Sequence, residues 1–214
     1  MVRSDIKEFI QTIPQNVTII AASKYVEADD IKHLLDAGIN NIGENRVDSF
    51  LHKYEVLKDE KIVWHFIGHL QRNKALDVIE KIDYLHSLDS LKLASLINTH
   101  RNKPLKCFVE VSINLEENKN GVPYFEAKNF ISELKPMKNI EVVGLMMMAV
   151  NHSDAQSLND QFAKLALLRD EFEQELNIKI PYLSMGMSDD YQIAIKNGAT
   201  HIRLGRILFN LLEN

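Results

Sequence analysis

Short apolar runs alternate with longer stretches of helical period along nearly the whole chain. An opening helix carries Ile6, Phe9, Ile10 and Ile13 on one face. The pattern then predicts strands at Val17–Ala22, Asn41–Gly43, Val63–Ile67, Tyr84–Ser87, Cys107–Val111, Glu141–Met147, Tyr182–Met185 and His201–Leu204. Helices are predicted between them at Ala28–Ala37, Val47–Leu57, Leu70–Lys81, Ser90–Asn98, Tyr124–Leu134, about Ser157 to Leu176, Asp189–Asn197 and Ile207–Leu212. Gly38 and Gly198 stand where two of these helices must stop.

Eight strand–helix units point to a single (β/α)8 TIM barrel of α/β class. The strands read as apolar runs rather than alternating ones, as expected when both faces are covered. A doubly wound open sheet is the rival, but the GxGxxG turn expected after its first strand is missing. No linker of Pro, Gly and Ser interrupts the pattern, so residues 1–214 are expected to form one domain.

Composition narrows the function classes. The formal net charge of -5, with no two of the 25 Lys and Arg residues adjacent, argues against a nucleic-acid partner. The single cysteine, Cys107, excludes an internal disulfide and lies in an apolar run, which reads as a buried, inert thiol. No apolar stretch approaches a membrane span and the N-terminus is unlike a signal peptide, so no membrane partner and a cytoplasmic location are expected. The polar helical exterior is compatible with a monomer.

In a barrel, chemistry gathers at the C-terminal ends of the strands. Polar residues there are Ser23-Lys24, Glu44-Asn45, Gly68-His69, Asp89, Asn114, Ser184 with Ser188, and Arg203-Gly205. A lysine at such a point either captures a carbonyl as a Schiff base or extends past the strand end into solvent. Gly186 lets the chain turn after the seventh strand, and Ser188 either only caps the next helix or joins backbone N–H groups in an anion cup. Gly205 permits close backbone approach after the eighth strand, and a phosphate site in these two loops is a recurring barrel feature. Asp189 and Asp190 oppose an anion there, with Arg206 available to offset them. Asn45 is read equally as a ligand donor or a helix cap. His65 reads as a core histidine, and no His, Cys and Asp spacing suggests a metal site. "GLMMMAV" (144–150) reads as barrel core, with Met148 near the strand end alternatively resting against a flat ring, and "EENKNG" (116–121) reads as a solvated loop.

Together, "SK" (23–24), "IGEN" (42–45), "WHFIGHLQRNK" (64–74), "GLM" (144–146), "LSMGMSDD" (183–190) and "GATHIRLG" (198–205) resemble the pyridoxal 5′-phosphate homeostasis proteins. The likeness runs in order from about Thr18 to Phe209. It implies a barrel like the N-terminal domain of alanine racemase, with pyridoxal 5′-phosphate held as a Schiff base on Lys24. It also implies that Arg203 faces the pyridine nitrogen, and that Ser184 or Ser188 and the Gly205 backbone hold the phosphate. Arg206 stands where a Thr is common in the family, and Tyr25 where a small polar residue is common.

A carboxylate at the pyridine nitrogen strengthens the cofactor as an electron sink, whereas an arginine disfavours protonation there. With 214 residues, no second domain is expected to supply an opposite-face acid. The expectation is therefore a carrier without substantial catalysis, which makes transient contact with apo-enzymes. A weak amino-acid racemase and a cofactor-free aldolase-type barrel are the alternatives.

Overall fold

The structure, a computed structural model, describes residues 4–115 and 120–213. The loop read at 116–121 therefore falls largely outside the described residues. The chain begins with α1 (Ser4–Gln11), β1 (Thr18–Ala22), α2 (Ala28–Asp36), β2 (Asn41–Glu44) and α3 (Val47–Val56). It continues through β3 (Val63–Phe66), α4 (Arg72–Val78), β4 (Tyr84–Leu88), α5 (Leu91–His100) and β5 (Leu105–Ser112). A two-residue strand β6 (Val122–Pro123) precedes α6 (Ala127–Leu134) and β7 (Ile140–Met146). The long α7 (Ala155–Leu176), β8 (Tyr182–Ser184), α8 (Tyr191–Lys196), β9 (His201–Leu204) and α9 (Arg206–Glu213) complete it.

Every strand pairing is parallel. Following the pairs in turn gives β1, β2, β3, β4, β5, β7, β8, β9 and back to β1, a closed eight-stranded barrel. The expected (β/α)8 architecture is the observed one. β6, which periodicity did not predict, is a short addition paired to the end of β5.

Alternation along each strand sorts the side chains into two cores. Ile19, Ala21, Ile42, Phe66, Leu85, Val109, Leu145, Leu183, Ile202 and Leu204 join the large cluster shared with the helices. Phe108, Val143 and Met146 form a separate small cluster with Tyr84 inside the barrel. The rest of the lumen is unusually polar: His65, His86, Ser184, His201 and Arg203 are all buried there. These positions hide among apolar neighbours in sequence, which is why the strands read as uniformly apolar.

Element ends moved where side chains, not periodicity, decide them. The helix predicted from Leu70 begins at Arg72, because Leu70 is buried before the turn. The helix predicted from Tyr124 begins at Ala127, because Val122–Pro123 pairs with β5 first. α7 starts earlier than predicted, at Ala155, because the Asp154 side chain accepts the Ser157 N–H at 2.8 Å.

Gly144 marks a close approach in the barrel wall. A Cβ there would lie 2.0 Å from the Tyr182 carbonyl oxygen on the neighbouring β8, so any side chain must push the two strands apart. Gly144→Ala is therefore expected to cost about 3 kcal/mol of stability, the upper end of ordinary overpacking. Urea unfolding of the two proteins checks it; an unchanged midpoint would mean that the wall yields at this point.

Candidate functional site

The closing pair sets the site. β1 pairs with β9 in the register Ile20 opposite Arg203 and Ala21 opposite Leu204. The residues that leave these strands, Ser23-Lys24 and Gly205-Arg206, consequently emerge side by side at the C-terminal mouth. Lys24, Gly205 and Arg206 line a cavity of about 500 Å³ together with Tyr25, Ser188 and Arg203. A cavity of that size suits a small ligand.

Lys24 is exposed within this cavity, its ammonium 4.7 Å from the centre of the Tyr25 ring. Tyr25 is itself 83% exposed, and among the described residues no hydrogen bond or ion pair holds the Lys24 amine. Tyr191 does not line this cavity and packs edge-on against Phe9.

Arg203 is the opposite case, a guanidinium only 5% exposed in the barrel lumen. Its Nη1 donates to Ser184 Oγ at 2.6 Å, and its Nη2 donates to the Met147 carbonyl at 2.9 Å and to Met148 Sδ at 3.2 Å. Burial pushes its pKa down to about 10, while Glu110 and Asp190 act to raise it, so it stays cationic at neutral pH.

Of the two serines read as phosphate ligands, Ser188 lines the cavity whereas Ser184 is fully buried beneath Arg203. The Ser188 side chain does not cap α8, which begins at Tyr191 after the N-cap residue Asp190. It faces the start of α9 instead, with the Ile207 N–H 3.5 Å from its hydroxyl oxygen. The two acids that oppose an anion here are both engaged. Asp189 pairs with Arg206, and Asp190 turns back to accept the Met187 N–H at 2.5 Å. A Cβ on Gly205 would meet the Ala22 carbonyl oxygen at 3.3 Å, so the two strand ends approach closely, as expected.

Asn45 does not cap α3; the N-cap residue is Arg46 and no side chain caps that helix. Its Oδ1 is buried without a hydrogen-bond partner, as is Oε2 of the adjacent Glu44. Glu44 Oε1 accepts from Ser23 Oγ at 2.6 Å and from the buried Lys53 at 2.5 Å. Lys53 also donates to the Ser23 carbonyl at 2.5 Å, so a buried ion pair fixes the peptide that leads into Lys24. His69 faces Asp89 at 3.2 Å and does not line the Lys24 cavity. Among the described residues no cluster of His, Cys, Asp and Glu could hold a metal ion. Cys107 is buried, and that burial raises its pKa.

Sequence reading did not single out His86, Glu110, Lys53 or the Met147 carbonyl. A signal existed for His86 and Glu110, each a polar residue at a lumen-facing position of an apolar strand. None existed for Lys53, whose burial depends on how α3 lies over β2, nor for a backbone carbonyl.

The fold and this mouth define a class, the alanine racemase N-terminal barrel. The sequence pattern of the family described as "Alanine racemase, N-terminal domain" matches residues 2–213. Among curated relatives, the pyridoxal phosphate homeostasis protein of Aquifex aeolicus is 39% identical, covering 89% of this chain and 85% of its own. That of Synechocystis is 37% identical and covers 94% of each chain. Among solved structures, PipY of Synechococcus elongatus without PLP superposes with a TM-score of 0.93 at 30% identity, covering 98% of this chain and 100% of its own. PipY with PLP bound gives 0.88 at 30% identity, covering 95% and 99%. An alanine racemase of Clostridium difficile shares the fold at 17% identity and a TM-score of 0.78, covering 97% of this chain and 57% of its own. The chain belongs to the pyridoxal phosphate homeostasis protein family. Among the described residues, no helix is long and apolar enough to cross a membrane.

The buried lumen makes stability depend on pH. Burial lowers His65 and His86 well below the ordinary 6.5 and takes His201 down to about 4, with Arg203 adding to the shift at His201 and His86. Burial raises Glu110 to about 7, with Asp89 adding to it and Arg203 opposing. At about pH 5.5, unfolding thus adds up to three protons to the histidines and releases one from Glu110. The unfolded state binds a net two more protons, so stability falls as pH drops below the histidines' unfolded value, by roughly 3 kcal/mol per pH unit at most. Glu110→Gln removes the opposing release. Urea titrations between about pH 5 and 7 are expected to show a steeper acid loss for this variant. Parallel curves would mean that Glu110 does not titrate in the fold.

Proposed function

We propose that this chain binds pyridoxal 5′-phosphate reversibly and holds it for cellular pyridoxal phosphate homeostasis rather than turning substrate over. The single observation that carries this reading is the convergence of Lys24, Ser188, Arg203 and Gly205 on one cavity.

The donor set fits the group. The cofactor supplies an aldehyde, which an amine captures with loss of one water, on a phosphorylated pyridine ring. Lys24 supplies that amine on an exposed side chain, so capture and release need no large rearrangement. Ser188, the Gly205 backbone and the start of α9 supply donors for the phosphate. Arg206 adds a cation there and, through its pair with Asp189, lessens the repulsion that acid would exert. The buried, unpartnered Asn45 Oδ1 marks Asn45 as a side chain with polar capacity to spare at the same end of the barrel.

Arg203 supports the absence of substantial catalysis. A guanidinium that remains charged opposes a proton on the pyridine nitrogen, which weakens the ring as an electron sink. Tyr25 lines the cavity but neighbours Lys24 on the same loop, so it does not offer an acid or base independent of that lysine. Release to apo-enzymes through transient contact follows from the openness of the lysine, and a monomer suffices for it. The names of the relatives agree with this reading, since they describe homeostasis proteins rather than enzymes.

Protein incubated with pyridoxal phosphate is expected to turn yellow, and borohydride is expected to bleach it and leave a pyridoxyl group on Lys24. Lys24→Ala is expected to lose that adduct, and Ser188→Ala to weaken binding about tenfold, the equivalent of one charge-assisted hydrogen bond. No colour in the wild-type protein would defeat the reading. D-amino acid formed from L-alanine at useful turnover would replace it with the racemase.

A further inference from the structure

A hydrogen-bonded chain of side chains crosses the barrel lumen beneath the mouth. It runs from Arg203 on β9 to Ser184 on β8, then to His86 on β4, His65 on β3 and Asn41 at the start of β2. Ser184 Oγ lies 2.8 Å from His86 Nδ1, His86 Nε2 lies 2.9 Å from His65 Nδ1, and His65 Nε2 lies 2.9 Å from Asn41 Oδ1. All four links are short, and Ser184, His65 and His86 are completely buried.

Chemistry gives the chain one polarity. At one end, the Asn41 amide nitrogen donates to Asn40 Oδ1 at 3.0 Å, so Asn41 Oδ1 is the acceptor that faces His65. His65 therefore donates through Nε2, and its Nδ1 accepts from His86 Nε2. His86 Nδ1 must then accept the Ser184 hydroxyl hydrogen. At the other end Arg203 only donates, so the Ser184 oxygen receives it. Each link carries one hydrogen and no donor meets a donor.

The surroundings hold both rings neutral. His86 stacks on Phe108 at 4.3 Å between ring centres, and His65 stacks on Tyr84 at 4.6 Å. The groups that act electrostatically on His86 are His65, His201 and Arg203, none of them an acid. A second proton on His86 would turn Nδ1 into a donor aimed at the oxygen Arg203 already uses.

We propose that His86, set in its Nε2–H tautomer by His65 and Asn41, is the positioning residue for Arg203. By taking the Ser184 hydroxyl hydrogen, it leaves the serine oxygen facing the guanidinium and anchors Nη1. The Met147 carbonyl anchors Nη2, and the guanidinium is held in one orientation. This rests on the reading that Arg203 meets the pyridine nitrogen of bound pyridoxal phosphate. The chain then determines whether that nitrogen meets a fixed donor and stays unprotonated. Ser184 belongs to this chain rather than to the phosphate cup.

Two measurements test it. In apo-protein carrying ¹⁵N-labelled histidine, long-range ¹H–¹⁵N spectra are expected to show His65 and His86 as neutral rings protonated at Nε2. Ser184→Ala is expected to shift His86 Nδ1 and mix its tautomers. A doubly protonated His86, or an Nδ1–H tautomer, would overturn the proposal. In protein loaded with ring-¹⁵N pyridoxal phosphate, His86→Leu is expected to increase protonation of the ring nitrogen and speed release about tenfold. His86→Asn returns an acceptor near the Nδ1 position and is expected to restore both, which a role in packing alone would not produce. Unchanged ring-nitrogen shift and release in a folded His86→Leu protein would also overturn it; if that variant does not fold, wild-type values in Ser184→Ala would do so. Failure of the wild-type protein to take up pyridoxal phosphate would defeat the functional reading instead, and the apo-protein tautomers would then decide the chain by themselves.

Discussion

The pairing of the first barrel strand with the last is the constraint on which the site depends. β1 and β9 lie far apart in sequence, and only closure of the parallel sheet brings Ala21 opposite Leu204. That contact sets Lys24 beside Gly205 and aligns Arg203 with the lumen face of Ile20. An open sheet built from the same strands would leave the lysine on one edge and the arginine on the other. The cavity at the mouth is thus a product of closure, and its chemistry is assembled from the two ends of the chain.

Closure also creates a lumen, and this lumen carries a permanent cation. A buried guanidinium is stable only where its donors are met and its charge is balanced. Ser184, the Met147 carbonyl and Met148 Sδ meet the donors. Glu110 and Asp190 act on that charge from beyond ion-pair contact among the described residues, Glu110 fully only once it ionises above about pH 7. The neutral imidazoles behind Ser184 complete the arrangement without adding charge. A polar lumen therefore follows from one arginine at the level of the mouth, and its dependence on pH follows from the same burial.

Two of the cations at the mouth, Arg203 and Lys24, are held in opposite ways. Arg203 is tied by hydrogen bonds at several points, whereas Lys24 projects from a loop with the Tyr25 ring beside it. The backbone leading into that loop is nonetheless held, because Lys53 and Glu44 grip Ser23 from beneath α3. A fixed base with a free side chain suits a group that must capture and let go. A fixed guanidinium suits one that must recognise without reacting.

Much of this protein was legible before any coordinates. Alternating runs of apolar strand and amphipathic helix determined a (β/α)8 barrel, because a parallel sheet covered on both faces leaves that imprint. The polar residues at strand ends marked the mouth, and Lys24, Ser188, Arg203 and Gly205 do meet there. Asn45 and Ser184 show where reading stopped. Both stand at strand ends, yet Asn45 caps nothing and Ser184 turns inward, because a residue's distance from a strand end does not specify its direction. His86 and Glu110 were invisible as a pair with Arg203 for a related reason. Their strands are separated by long stretches of chain, and only the curvature and register of the closed barrel bring them together. What the sequence by itself determined was the set of elements and the end of the barrel where the chemistry lies, since both follow from local periodicity. Which side chains touch Arg203, and with what hydrogen-bond polarity, was decided only by the tertiary structure, since it depends on distances across a lumen that no local pattern encodes.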